Sequence, residues 1–481
     1  MKNNALVGLF CLAFGSQALA MDLQEYLKSV LEKNKNVQSY EASQAAAEER
    51  RIAGDIELVP MLSAGVNYMD DTSPLGQFAQ LGASKTIATD AKVVLSKKFS
   101  SGTDVALSGT AAEIQNEGNL FVPAFQNFAY GTLGLSLSQS LWKDAFGSGT
   151  RLRWQRQDAV TQAEVGRYDL QKKLLLVEAE AAYWDYIYLQ ENVKIGRASL
   201  ERAKRIEGWT RRRTNDGISD RADLYSAQAL VAARQLQLVS AEDEFAAAKR
   251  KIRDYLELSD ADSFPEITGD ISKPRTLTSM VDGKPDQSGR QRVMALEAYM
   301  MALNARASAL VAKETDNAYR PDFVLSGAYN TNSFETEARI PDISGHLADT
   351  DRPTWKVGLN MVYMFDTSVK NSARGAARKD ALAAQLMSEK KNLESETQWI
   401  ELNRRYSEMS KRVENASEMS RLQSAAAKAQ TDLFNKGRSI TATVINAEED
   451  SGAAELNLTK LKSEQRKMEA QGRLFVVIEE K

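Results

Sequence analysis

Asn215-Asp216-Gly217-Ile218-Ser219-Asp220-Arg221-Ala222-Asp223-Leu224-Tyr225-Ser226-Ala227 returns later in the chain as Asn435-Lys436-Gly437-Arg438-Ser439-Ile440-Thr441-Ala442-Thr443-Val444-Ile445-Asn446-Ala447. The asparagine, the glycine, the serine and both alanines match. An internal repeat is the first signal to seek in a long sequence, because missing it misassigns the whole fold. Each copy opens a helix with small and apolar residues at every third or fourth position. In the first the spacing runs Leu224, Ala227, Val231, Arg234, Leu238, Ala241, Phe245, Ala248, Ile252 and Tyr255. In the second it runs Val444, Ala447, Ser451, Ala454, Leu458, Leu461, Gln465, Met468, Gly472 and Phe475. A sustained period near 3.5 residues is a coiled-coil seam. Ahead of each copy lies a longer stretch free of proline, 150–213 and 369–434. At about 1.5 Å per residue such a helix extends about 95 Å, too long for a compact domain. Gly217 and Gly437 therefore read as hairpin tips, with Ser219 or Asp220 and Ser439 placed to cap the returning helices.

Strand patterns precede both long helices. Trp355, Val357, Leu359, Met361, Tyr363 and Phe365 alternate with Lys356, Gly358, Asn360, Val362 and Met364, which suits a tilted strand facing lipid on one side. Its expected partner is 322–330, entered through Pro321. The first half offers 61–70 after Pro60, and 129–142, where Leu133, Leu135, Leu137 and Leu141 share a face. It also carries an additional hairpin, 91–99 and 104–112 around Ser100-Ser101-Gly102, so six strands per chain are expected unless that hairpin lies against a barrel wall. Long loops at 71–90, 113–127 and 331–353 fall on one side and the tight turn on the other, as outer-membrane barrels require. Shorter helices near 22–58 and 289–318 open the two halves, and residues 258–287, with three prolines, read as a connector.

Composition narrows the function. Hydrophobic residues reach 43% largely through alanine, aromatics are 7% and there are only nine prolines, a mix that favours long helices packed through small side chains. With 62 basic against 65 acidic residues, no basic excess points to nucleic acid. Residues 1–20 read as an export signal: Lys2, an apolar core at 5–14, and Ala18-Leu19-Ala20 as the cleavage site. Cys11, the one cysteine, lies inside it without the small residues of a lipoprotein signal, so no lipid anchor is expected. The mature chain then has no thiol, and with no apolar run long enough for a helical span, a membrane-crossing form must be a barrel.

His346 is the one histidine and reads as an exposed loop residue, which excludes a Ser/His/Asp triad or a three-histidine metal centre within one chain. Asp216, Asp220 and Asp223 lack the ligand spacing of a calcium loop and read as caps facing a helix dipole. Gly147-Ser148-Gly149-Thr150 lacks the lysine of a phosphate loop and reads as a strand-to-helix corner. No metal or other cofactor is expected, and no enzyme. Arg211-Arg212-Arg213 ends a helix, either as a solvated stretch suited to the dipole or as part of the tip's closure. Trp142, Trp355 and Tyr363 are candidates for membrane-interface anchors or for core packing.

With its paired tips, its Tyr319-Arg320-Pro321-Asp322-Phe323 and Val59-Pro60 strand starts, and its exits Gln139-Ser140-Leu141-Trp142-Lys143-Asp144 and Tyr363-Met364-Phe365-Asp366, the chain resembles the TolC family of outer-membrane efflux proteins over almost all of its mature length. The resemblance implies a mixed α and β membrane protein with two structural repeats per chain. A transmembrane β-barrel shared among three chains would continue into a long α-helical barrel of coiled-coil hairpins. It implies a homotrimer in the outer membrane of a Gram-negative bacterium, with a periplasmic helical portion that meets a membrane-fusion adaptor and an inner-membrane pump. The expected organisation is a signal peptide 1–20, a first repeat 21–257 (strands about 59–142, hairpin 150–257), a connector 258–287 and a second repeat 288–481 (strands about 321–365, hairpin 369–479). Family members narrow the tip with acidic residues after the tip glycines. Asp223 occupies such a position, while the matching Thr443 and Asn446 are neutral. The expected tip and gating set is Arg211, Arg212, Arg213, Gly217, Asp223, Gly437, Arg438, Thr443 and Asn446. The expected function is a passive exit channel for efflux or type I secretion, with drugs, metal ions or polypeptides as open cargo classes. A soluble periplasmic coiled-coil adaptor or scaffold is the alternative, sharing the seams but having no need for apolar-faced strands. A peptidoglycan hydrolase on a helical stalk is a remoter one.

Overall fold

The computed structural model describes residues 21–74, 78–118, 120–259, 261–281, 291–349 and 351–479, and the expected signal segment lies outside them. Helices α1 (Leu23–Lys33) and α2 (Lys35–Ala53) lead to strands β1 (Met61–Asp71), β2 (Ala83–Lys98), β3 (Thr103–Gly118) and β4 (Asn127–Ser140). The long α3 (Ser148–Asn215) and α4 (Arg221–Tyr255) follow, then β5 (Gln291–Ala295) and α5 (Leu296–Ala318). Next come β6 (Asp322–Thr336), the single turn α6 (Ile340–Ile343) and β7 (Thr354–Val362). The chain closes with α7 (Thr367–Asn435), α8 (Thr441–Gln471) and β8 (Phe475–Glu479). Two compact units result, each drawing on both halves of the sequence: a sheet unit from Ala45–Val165 and Met300–Glu389, and a helical unit from the described parts of Met1–Gln44, Gly166–Tyr299 and Lys390–Lys481.

The sheet unit holds one six-stranded sheet in the order β1-β2-β3-β4-β6-β7, every neighbouring pair antiparallel. The expected 91–112 hairpin is thus part of the sheet, between β1 and β4. Its strands run to sixteen residues each, longer than expected, because Thr86, Ile87 and Ala88 keep pairing with Asn116, Gln115 and Ile114. The loops shorten accordingly. Register sorts the two faces, since directly paired residues point the same way. Leu62, Leu95, Leu107, Leu135, Tyr329 and Trp355 form one row across all six strands. Val66, Val93, Leu137, Leu325, Val357, Leu359 and Met361 share that face, and most of these side chains are well exposed. The opposite face is hydroxyl- and amide-rich, with Ser63, Asn67, Ser96, Ser108, Thr110, Thr132, Ser136, Asn330 and Asn360.

β7 ends at Val362, paired with Asp322, so Tyr363 and Phe365 lie beyond the ladder rather than inside the strand; β4 likewise stops at Ser140, short of Trp142. At both exits a carboxylate starts a long helix. Asp144 accepts from the Thr150 backbone N–H and hydroxyl, each at 2.9 Å, and Asp366 accepts from Ser368 and Val369 N–H and the Ser368 hydroxyl. Those bonds hold the Asp366 carboxyl below its usual pKa. Gly147-Ser148-Gly149-Thr150 is the corner into α3.

The helical unit is held by two main cores. Tyr26 and Val30 of α1 pack with Ala179, Tyr183, Trp184 and Ile187 of α3, Ile252 of α4, and Ile267 from the connector. Leu277, Met294, Ala298, Leu402 and Phe475 form the second. Three expectations change here. The helix expected over 22–58 breaks at Asn34, whose side chain donates to the Tyr255 carbonyl and accepts from Asn36 N–H. The helix expected from 289 begins with β5, and the second seam stops at Gln471 because Phe475–Glu479 pairs with Gln291–Ala295. In α8 the buried positions include Glu448, Ser463, Gln465, Arg466 and Glu469, whereas Leu458, Leu461 and Met468 are only half-buried. The connector contributes buried Ile267, Ile271 and Leu277 to these cores rather than standing free.

Candidate functional site

The α3–α4 and α7–α8 turns share one backbone plan. Gly217 and Gly437 sit at φ 72° and 74°, where an L side chain is strained. Ile218 N–H reaches back to the Arg213 carbonyl and Gly217 N–H to Thr214; Arg438 N–H reaches Leu433 and Gly437 N–H reaches Phe434. Both are Schellman closures of a helix C-terminus. The capping expected next is not made. Asp220 occupies the N-cap of α4 without a side-chain bond, and in the second turn the N-cap is Ile440. Ser219 instead donates to Asp223 Oδ2 at 2.6 Å, and Ser439 donates to Gln430 at 3.1 Å.

The remaining gating candidates divide. Arg213 is half-buried with its guanidinium 4.7 Å from the Phe434 ring centre, and it donates to the Ser439 carbonyl at 3.4 Å, so it ties the first hairpin to the second. Arg211 pairs with Glu207 on its own helix, and Arg212 is exposed. Thr443 and Asn446 are exposed, and among the described residues the side chain of neither makes a hydrogen bond; Arg438 contributes its backbone alone. Within one chain, therefore, Asp223, the arginines and Asn446 do not converge. Beneath the turns Ala203, Ile206, Leu230, Phe434 and Val444 form a small core, and Arg202 donates to the largely buried Glu448 at 2.7 Å. Beside it, Arg202, Trp209, Lys428, Asp432 and Glu455 border a groove of about 360 Å³.

Farther along the helical unit lies a charge cluster that sequence reading missed. Glu180 and Glu469 are fully buried. Glu180 accepts from Arg275 and, at 2.8 Å, from Arg473 Nε. Glu469 accepts from Arg275 N–H at 3.0 Å, from Arg275 Nε at 3.2 Å, and from the buried Arg466. The Tyr406 hydroxyl lies 2.6 Å from the Arg275 carbonyl and 3.1 Å from Glu469. Burial works against the charge on Arg275, yet the two carboxylates more than offset it and keep its pKa above the ordinary value. The connector is thereby locked to α3, α7 and α8. Charges on a helix ordinarily mean a solvated face; the one sequence hint was their place on the seam side of α8.

In the sheet unit, Trp142 stacks on Phe323 at 5.6 Å between ring centres. The Tyr363 hydroxyl takes a 2.7 Å bond from the buried Lys370, whose ammonium also sits 4.7 Å from the ring centre. These residues border one shallow cavity at the strand ends. Trp355, 75% exposed, stands near the other end of β7. Along β7, Trp355 and the last strand residue Val362 are separated by about 24 Å at roughly 3.4 Å per residue, comparable to the apolar band of about 25 Å on membrane barrels. His346 lies in the loop after α6, 3.0 Å from Asp349 and 3.8 Å from Glu335, and the bond to Asp349 together with Glu335's charge raises its pKa.

Long helical hairpins closed by glycine turns, joined in one chain to an antiparallel sheet with an exposed apolar face, define the class of outer-membrane channel folds. The solved structures agree. The chain is similar to the outer-membrane channel OprN (17% identity, TM-score 0.64, covering 94% of this chain and 89% of that one). It is similar to the outer membrane protein VceC of Vibrio cholerae (13%, TM-score 0.65, 94% and 95%) and to the open state of the Neisseria gonorrhoeae MtrE outer membrane channel (15%, TM-score 0.61, 94% and 88%). No family model and no curated relative matches the sequence. The fold is that of these channel proteins.

Proposed function

We propose that the chain is a TolC-family exit channel of the outer membrane of a Gram-negative bacterium, a passive conduit for efflux or type I secretion. Three copies share the barrel, and the helical part docks a periplasmic membrane-fusion adaptor that brings an inner-membrane pump. One observation carries the reading: a sheet that exposes an apolar face across all six strands and a polar face behind it has the sidedness of a membrane barrel wall. A soluble scaffold would face a large penalty for such a surface, since monomeric soluble proteins rarely expose a contiguous apolar patch beyond a few hundred Å². No helix among the described residues is long and apolar enough to cross a membrane, so the sheet is the element left to do so. The groove beside Arg202 and Trp209 suits a partner helix near the tips.

Carbonate washing tests the location: the protein stays with the membrane pellet, and release into the supernatant would favour the soluble adaptor or scaffold. For gating, charge-neutral substitution of Asp223, Arg211, Arg212 and Arg213 raises closed-state conductance in planar bilayers. Unchanged conductance removes those residues from the gate.

A further inference from the structure

We propose that the β2–β3 hairpin is a barrel-widening element, so that three chains, joined β7 to β1, close an eighteen-stranded pore with room for bulky hydrated cargo. The inference rests on the trimeric channel reading above and adds to it the size of the pore.

The hairpin carries the same sidedness as its neighbours. On its apolar face Val93 is 49%, Leu95 46% and Leu107 46% exposed, matching Leu135 at 45% and Leu325 at 45% in the strands beyond it. A hairpin laid against the inside or outside of a finished wall would cover one face and leave its neighbours β1 and β4 paired to each other. Instead β1 pairs with β2 over eleven positions, from Met61↔Ser96 to Asp71↔Thr86, and β3 pairs with β4 from Thr103↔Gln139 to Gln115↔Asn127. Without the hairpin the chain would offer four strands; with it, six.

The outer edges fit one another. Five successive antiparallel pairs leave β7 running opposite to β1, so placing β7 of one copy beside β1 of the next continues the alternation without a parallel junction. Their lengths are similar, nine and eleven residues, and neither free edge contains proline. Unpaired edges of nine and eleven residues are templates for pairing. Within one chain the sheet does not close, because β1 and β7 are its two outer strands and are not paired with each other, and a six-stranded ring would have no open lumen, since about eight strands already give an interior just filled by side chains.

With strands about 4.8 Å apart and tilted by about 40°, eighteen strands enclose a backbone diameter of roughly 36 Å, against roughly 24 Å for twelve, a ratio of about 1.5. The hairpin's contribution to the polar face is mixed in charge, Asp90 and Lys92 among Ser96, Ser108 and Thr110, with Asn67 bonded to Asp90. It therefore widens the pore without making it strongly selective for either sign of ion.

Cysteine cross-linking in the protein carrying residues 21–481 tests this on a clean background, since Cys11 is the one cysteine of the sequence. Single cysteines along β1 (Ser63→Cys, Gly65→Cys, Asn67→Cys) are combined with single cysteines along β7 (Lys356→Cys, Gly358→Cys, Asn360→Cys), and a control pairs β1 with β4 (Ser63→Cys with Gly134→Cys or Ser136→Cys). The expected result is a disulfide ladder ending at trimer for at least one β1–β7 pair and none for β1–β4. Averaged electron images of detergent particles should show a barrel about 1.5-fold wider than a twelve-stranded one. An intrachain β1–β4 cross-link, or trimers with the narrower barrel, overturns the widening and leaves the channel reading intact. Native mass spectrometry showing a monomer, with no interchain product, sinks the trimer itself and the widening with it.

Discussion

The helical unit is fastened in opposite ways at its two ends. Around Arg275, three charged side chains (Glu180, Glu469 and Arg466) are buried out of water, with Arg275, Arg473 and the Tyr406 hydroxyl closing over them, and each carboxylate meets at least two donors. At and just beneath the tips, the contacts between hairpins are Arg213 over Phe434, one long bond to the Ser439 carbonyl, the single Arg202–Glu448 ion pair and a small apolar core. Removing one partner of a buried ion pair leaves a bare charge and costs about 3–5 kcal/mol, whereas exposed pairs are worth about 0–1 kcal/mol. The difference indicates where the unit can move without unfolding: the tips open before the charge cluster does.

Substitutions graded across the two ends test that contrast. Glu469→Ala strands Arg466 and half of Arg275's bonds, and should lower stability by about 3–5 kcal/mol, read as a fall in the thermal midpoint of the detergent-solubilised protein. If it instead behaves like a surface change, the contrast fails. Gly217→Ala or Gly437→Ala forces a side chain into the left-handed region for about 1–2 kcal/mol each, and limited proteolysis should then cut at the altered tip alone. Arg213→Ala removes a cation–π contact worth about 0.5–1 kcal/mol, so it should leave the midpoint nearly unchanged while speeding hydrogen exchange over 434–446. Arg211→Ala should be smallest, about 0.3–0.5 kcal/mol, because its partner Glu207 lies one turn away on the same helix. An Arg211 effect larger than that of Arg213 would mean that the wrong arginine has been taken as the link.

Local chemistry explains which features could be read from the sequence. Alternation at 355–361 placed β7's apolar face, and freedom from proline over 150–213 and 369–434 marked the long helices, because both signals are carried by neighbouring residues. Glycine before a new apolar period marked the turns for the same reason. What remained hidden depends on partners far away in the chain. Glu180, Arg275, Tyr406 and Glu469 are each ordinary alone, and only the fold brings them together. The short pairing of Gln291–Ala295 with Phe475–Glu479 is hidden likewise, since 475 continues a helical period until a distant strand claims it. At the tips, glycine was legible, but Arg213's tie to Phe434 joins residues from different halves, and nothing local set it apart from Arg211 and Arg212.

α3 runs unbroken from Glu180 in the charge cluster to Asn215 at the first tip, about 52 Å at about 1.5 Å per residue. An arm of that length amplifies: tilting it by about one degree about its anchored end carries the far end through roughly 1 Å. A docking event that does no more than rock the arm by a few degrees would therefore stretch the 3.4 Å bond to Ser439 past hydrogen-bonding reach.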